Sequence, residues 1–261
     1  MKKSTILIAI FAVLLGGVLF IVDKRVKTEN FSVSESTDFY SIKADYPNDS
    51  WDKTGIMKQT VEYLINLKKE EWKEGGEIYN SEQEIARDFP DRPKMQYQML
   101  ISYSSTTSEK LGTRSYTFNV YEFTGGAHGN TAITTYNFNK KGQIKVEDLV
   151  DFSGGGYIKL AKLIRSKLVQ SLGENANLRM INDGLDLTYL KPDDTIDKEK
   201  CDCEGFYFPS NVQYFTVKDE GMKFIFGQYQ VGPYALGTPE VLLTWEELKA
   251  ILLSKNILGV E

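Results

Sequence analysis

Residues Ser115 to Leu149 read SYTFNVYEF, TGGAHGN, TAITTYNFN, KKGQ and IKVEDL in succession, and this stretch decides the fold class. Tyr116, Phe118 and Val120 alternate with Thr117 and Asn119, and Ala132, Thr134, Tyr136 and Phe138 alternate with Ile133, Thr135 and Asn137. A period of two filled by aromatic and β-branched residues is a strand signal. Between the two runs lie Gly125, Gly126 and Gly129, which can adopt backbone angles closed to other residues. The stretch therefore predicts a β-hairpin with a sharp glycine loop, followed by a second turn at Lys140–Gly142. His128, the single histidine of the chain, sits in the first loop.

The same pattern recurs on both sides. Phe39–Tyr46, Met95–Ser104 and Arg114–Phe123 read as strands, and Val212–Val217 with Met222–Gln228 as a hairpin around Asp219–Gly221. Val241–Leu243 is a further short strand. Thr54–Lys73 has helical period, with Met57, Val61, Leu64, Leu67 or Lys68, and Trp72 on one face, and Gly75–Gly76 is expected to stop it. Ser81–Asp88 reads as a short capped helix. Tyr157–Leu172 is amphipathic, with Ile158, Ala161, Ile164, Leu168 and Leu172 inward and Gly173 as its C-cap. A last helix is expected over Trp245–Leu253, opened by a capping box of Thr244 and Glu247. The fold class read from this order is α+β, with antiparallel sheets, packed helices and no alternating β-α-β units.

The N-terminus has a different character. Lys2 and Lys3 precede Ile6–Val22, which no charge interrupts. Its 17 residues would extend ~26 Å as a helix, enough for a bilayer core. Phe20, Ile21 and Val22 are bulky where a signal-peptide cleavage site needs small residues, and no cysteine follows the run to carry a lipid. The reading is an uncleaved transmembrane anchor over 6–22 behind a cytoplasmic tail of residues 1–5, with a cleaved signal as the alternative. Basic residues flank both ends (Lys24, Arg25 and Lys27 follow), so local charge does not choose the orientation. The bulk of the chain behind a short N-terminus favours export. Residues 23–37 read as a polar linker. Two lobes are expected beyond it, one over 38–123 and one over 124–255.

With 261 residues, 41% of them hydrophobic, the chain can bury a core. Its net charge of −5 and lack of a basic face argue against nucleic-acid binding. A catalytic triad would have to use His128, and one histidine cannot furnish a histidine-rich zinc site. His128 is read either as a turn residue bonded to nearby backbone or as a ligand-contacting imidazole. Cys201 and Cys203 flank a single residue, a spacing at which a disulfide is awkward but not forbidden. The pair is read as a local disulfide or idle thiols, with a soft-metal pair or mixed disulfides with a partner as the alternatives. Gly154–Gly156 precedes a helix but lacks the spacing of a phosphate loop. Glu147/Asp148, Asp193/Asp194 and Glu246/Glu247 read as solvated carboxylates. Tyr207, Tyr214, Tyr229 and Tyr234 are either sheet core or, if exposed, a contact surface for protein or sugar.

The segments YEFTGGAHG…NFNKKGQIKVEDLV and GMKFIFGQYQVGPYALGTPEVLLTWEEL resemble a family of extracytoplasmic domains. These domains form the sensor part of the lysozyme-responsive anti-sigma factor RsiV and the non-catalytic region ahead of the peptidoglycan deacetylase PdaC. Tyr229, Gly232, Tyr234 and Gly237 fall in matching places, as do Ile65, Asn66 and Trp72 of the preceding helix. The resemblance runs from about Asp38 to Leu253. It implies a two-lobed α+β module, supplies no catalytic residues and calls for no cofactor. Binding is then expected at Gly125, Gly126, His128, Tyr229 and Tyr234, with an envelope protein or peptidoglycan as ligand. A short tail ahead of the anchor leaves no place for a sigma-factor-binding domain. An envelope hydrolase using His128 and carboxylates is the alternative.

Overall fold

The computed structural model describes residues 29–81, 96–191, 193, 195, 197–200 and 209–253. The expected anchor over 6–22, the short helix at Ser81–Asp88 (from residue 82 on), Tyr207 and the Cys201–Cys203 pair lie outside them. No helix among the described residues is long and apolar enough to cross a membrane.

The architecture is mixed α+β, with antiparallel sheets and a few helices. Six strands form one sheet in chain order: β1 (Glu29–Ser36), β2 (Tyr40–Asn48), β3 (Tyr97–Ser108), β4 (Thr113–Phe123), β5 (Asn130–Asn139) and β6 (Gly142–Ile144). Three form a second sheet: β7 (Phe215–Lys218), β8 (Gly221–Ile225) and β9 (Glu240–Thr244). The hairpin read around the glycine loop is present, with Tyr116 opposite Tyr136 and Val120 opposite Ala132.

Several local expectations are corrected. The segment read as linker is β1 from Glu29 onward, paired antiparallel to β2 along its whole length. Phe31 and Val33 are the apolar residues that dock it. The expected division at 123/124 falls inside the β4–β5 hairpin, so the first sheet continues to Ile144. β2 and β3 are parallel, Tyr40 opposite Tyr97, joined by the crossover helix α1 (Ile56–Ser81). Parallel neighbours need such a connection, so one β-α-β unit does occur. Finally, α1 runs through Gly75 and Gly76. A glycine inside a helix costs only about 1 kcal/mol, and a side chain at Gly75 would meet the Tyr97 ring at 3.4 Å.

α1 starts where Asp52 accepts hydrogen bonds from the Ile56 and Met57 amides, both 2.9 Å. Met57, Val61, Ile65 and Trp72 are buried against one face of the large sheet, over Ile42, Met99, Ile101, Phe118 and Val120. Of the alternatives Leu67 or Lys68 expected on that face, Leu67 points outward at 45% exposure and Lys68 is half-buried, and Ile65 is buried on the inward side as well.

A second core lies around α2 (Gly156–Leu172), α3 (Leu178–Gly184) and the small sheet. Tyr157, Leu160, Ala161, Ile164 and Leu168 of α2 are buried, whereas Ile158 is only half-buried. The triple glycine ahead of α2 has a structural cause: Gly154 and Gly155 take φ of 54° and 79°, and Gly156 abuts the Asp151 carbonyl with no room for a Cβ. The Thr244–Glu247 capping box forms, but its helix α4 (Trp245–Leu248) is a single turn. The chain then extends, because Ile251 and Leu253 bond the backbone of Asp151 and Leu149 at 2.7 and 3.0 Å.

The two cores meet where β7 crosses the opposite face of the large sheet. β7 is an edge strand, and an edge leaves backbone groups unpaired. Here side chains of β4 and β5 satisfy them. Ser115 Oγ accepts from the Val217 amide at 2.9 Å, Thr135 Oγ1 accepts from the Phe215 amide at 3.1 Å, and Asn137 Nδ2 donates to the Phe215 carbonyl at 2.9 Å.

Candidate functional site

The β4–β5 loop and the β8–β9 loop come from different sheets and meet on one face. In the first, Gly125 and Gly126 take φ of 96° and 100°, which turns the chain sharply between Phe123 and Asn130. Gly129 is buried under Tyr121, and a Cβ there would lie 2.4 Å from the ring. In the second loop, Gln230 holds the turn closed: its Oε1 accepts from the Gly227 amide at 3.1 Å and its Nε2 donates to the Asn211 carbonyl at 2.9 Å. Gln228 Oε1 accepts from the Thr131 amide at 2.9 Å and pins this loop to the start of β5.

The predicted binding residues therefore assemble. The His128 ring stacks on Tyr234 with centroids 4.1 Å apart and planes 24° apart. Tyr234 donates its hydroxyl to the Gly129 carbonyl at 3.1 Å and lies 5.7 Å from the Tyr229 ring. His128 Nδ1 is 3.0 Å from the same carbonyl. A carbonyl only accepts, so the neutral imidazole carries its proton on Nδ1 and presents Nε2 as an acceptor. His128 is exposed, and Tyr229 is 54% exposed. Tyr229 also holds φ at 65°, a conformation costly for a bulky residue. Of the tyrosines read as either sheet core or contact surface, Tyr214 and Tyr234 are half-buried and Tyr229 points to solvent.

The groups presented here are aromatic rings, an imidazole and a hydroxyl, which offer contact and hydrogen bonding. Among the described residues no carboxylate is hydrogen-bonded to His128, and no group of histidine, cysteine, aspartate or glutamate could hold a metal ion. The acidic pairs serve local structure: Asp148 accepts from the Lys145 amide at 2.7 Å, and Glu247 pairs with Lys167 at 2.7 Å. Two of the concavities among the described residues lie elsewhere. One of about 250 Å3 opens between Thr135, Gln143 and Tyr214, and one of about 510 Å3 lies beside Leu178 and Asn182. Neither includes the glycine loop. Tyr121 and Gln228 complete the aromatic face. Both lie in the segments that carry the resemblance, but only the fold gives them a role, Tyr121 packed over Gly129 and Gln228 bonded to Thr131, 97 residues away in the chain.

Residues 33–131 match the family model described as deacetylase PdaC, and residues 157–246 match that of a protein of unknown function, DUF3298. Two solved structures are similar across the chain. A DUF3298 family member from Bacteroides fragilis NCTC 9343 is 20% identical, with a TM-score of 0.59, covering 90% of this chain and 96% of its own. A DUF3298 family protein from Pseudomonas aeruginosa PAO1 is 14% identical, with a TM-score of 0.51, covering 90% and 97%. Such identities establish the fold alone. No curated protein matches the chain. The matches agree with the resemblance read from the GGAHG and GPYALG segments, and the chain is consistent with a PdaC-like domain of unknown function.

Proposed function

We propose that the protein is a binding or sensing module of the cell envelope, tethered by residues 6–22 and holding its folded head outside the cytoplasm. The ligand is an envelope protein or a peptidoglycan component. One observation carries this reading: the GGAHG and YQVGPY loops converge on an exposed aromatic face, with Tyr229 held outward at φ 65°. Backbone strain at an exposed ring is a reason to look for a ligand there. The arrangement offers stacking surface and an imidazole acceptor without a nucleophile or base pair, which favours gripping over cutting.

The test uses the full chain in detergent against purified peptidoglycan sacculi and against lysozyme. Binding to either, lost on substitution of Tyr234→Ala and retained in Tyr63→Ala on the outer face of α1, supports the reading. Equal binding by all three proteins, or none by any, removes it. Protease added to intact cells checks the topology: the head is degraded if it lies outside and persists if it lies within. A hydrolytic activity that His128→Ala abolishes would replace binding with enzymatic function.

A further inference from the structure

The aromatic face does not stop at the two loops. β7 covers the part of the large sheet that carries Ser115, Thr135 and Asn137 and reaches β3 beside it, leaving Leu100 exposed. Because Met99, Ile101, Phe118 and Val120 face α1, their neighbours Gln98, Leu100, Ser102, Asn119 and Tyr121 face the other way. Leu100 stands directly opposite Tyr121 and remains 46% exposed. Tyr121 packs on Gly129, whose carbonyl receives the Tyr234 hydroxyl. Leu100, Tyr121, His128, Tyr234 and Tyr229 thus form one continuous strip, floored by the sheet and walled by the β8–β9 loop.

The charge on this floor narrows the ligand. Across β2 to β5 the residues on this face are hydroxyls, amides and the apolar or aromatic Pro47, Leu100, Tyr121, Phe123 and Ile133, with Lys43 and Asp45 the two charges, of opposite sign on one strand. A phosphorylated ligand would need a cluster of cations. A stem peptide, with free carboxylates and amines, would need partners for each. Neutral donors and acceptors beside exposed rings suit an uncharged polyol, whose ring faces stack on aromatics and whose hydroxyls both donate and accept. Two strand spacings, about 10 Å, separate Leu100 from Thr131, room for a pair of sugar rings before a chain reaches Tyr229.

Resting on the binding function proposed above, we infer that the ligand of this strip is an uncharged glycan strand. Sugar rings lie on Leu100–Tyr121 and on Tyr229, and a hydroxyl donates to His128 Nε2.

The test titrates the full chain in detergent with chitotetraose, with a free peptidoglycan stem peptide and with insoluble sacculi. The variants are Tyr229→Gly, Leu100→Ser and Tyr63→Ala, each checked for an unchanged unfolding temperature. Chitotetraose should bind, and Tyr229→Gly and Leu100→Ser should each weaken it about tenfold or more, as loss of an anchoring contact does. Tyr63→Ala should leave it unaltered. Stem peptide or sacculi bound in a Tyr229-dependent way without chitotetraose binding would overturn the glycan while leaving the binding function standing. Chitotetraose bound equally by all variants would overturn the placement on this strip. If no probe's binding depends on Tyr229 or Leu100, both the glycan and the binding face fall.

Discussion

Asp49 is the most committed charge among the described residues. It is 5% exposed, and both its oxygens accept from Arg114 Nη1, at 2.9 and 3.0 Å. It also accepts from the Tyr116 hydroxyl and, at 2.8 Å, from the Trp51 amide. Burial and the bond to Asp49 push the Tyr116 hydroxyl well above its ordinary pKa, so it stays a donor. Asp49→Asn removes the charge that compensates Arg114 and turns one acceptor into a donor facing donors. Breaking a buried pair from one side costs about 3 kcal/mol or more, and urea unfolding should show it. Tyr229 is the opposite case. Glycine there relieves strain of order 1 kcal/mol, and loses a Tyr234 contact worth about 0.5–1.5 kcal/mol. Tyr229→Gly should therefore stay within about 1 kcal/mol of the parent. A loss above about 2 kcal/mol, the range of buried-side-chain truncations, would make the ring structural and remove its claim to a ligand.

Elements were legible wherever alternation or a cap was strong. The β4–β5 and β7–β8 hairpins, α2 and the Thr244–Glu247 box all follow from local chemistry. β1 was not, because ENFSVSES carries only Phe31 and Val33 against the core and reads as polar. The parallel pairing of β2 with β3 was not either, since it depends on α1 packing across the sheet rather than on any period in the sequence. The same holds at the site. GGAHG and GPYALG stand out as motifs, but nothing in them says that His128 stacks on Tyr234 or that Tyr121 fills the space above Gly129. The capping box makes a prediction of its own. The Lys167 hydrogen bond, then the Thr244 amide, hold the Glu247 carboxyl at about 2, below its ordinary 4.5. A depressed carboxylate stabilises the fold above its unfolded pKa and loses that contribution as pH falls through the folded value. The stabilisation is thus whole above pH 4.5 and fades towards pH 2. Glu247→Gln keeps the capping acceptor but gives up the charge paired with Lys167, so it should cost about 0.5 kcal/mol at neutral pH and flatten the stability curve between those two values. An unchanged acid limb in thermal melts across that window would show that the carboxylate contributes nothing there.

Two cores held by one seam give the molecule a mode of failure that neither has alone. α1 and the large sheet bury one cluster; α2, α3 and the small sheet bury the other. What joins them is a line of polar side chains under β7, and these differ in consequence. Ser115 and Val217 are fully buried, so Ser115→Ala strands a backbone amide away from water. That costs about 1–3 kcal/mol. Asn137→Ala loses the bond to the Phe215 carbonyl, but also removes Oδ1, a buried acceptor with no hydrogen-bond partner. The second effect offsets the first, so Asn137→Ala should cost less than Ser115→Ala. The double substitution should do more than add the two. With the edge of β7 unsatisfied, the cores lose the contact that makes them unfold together, and a single cooperative transition should separate into two. Hydrogen exchange at the Val217 and Phe215 amides should rise to the rate set by opening of the seam, ahead of the amides of β3 and β4. The aromatic face takes one loop from each core, so it should lose its shape in that first step, while α1 is still packed. A double variant that melts in one transition, with both sheets exchanging together, would mean that the apolar contacts across the seam suffice to couple the two cores.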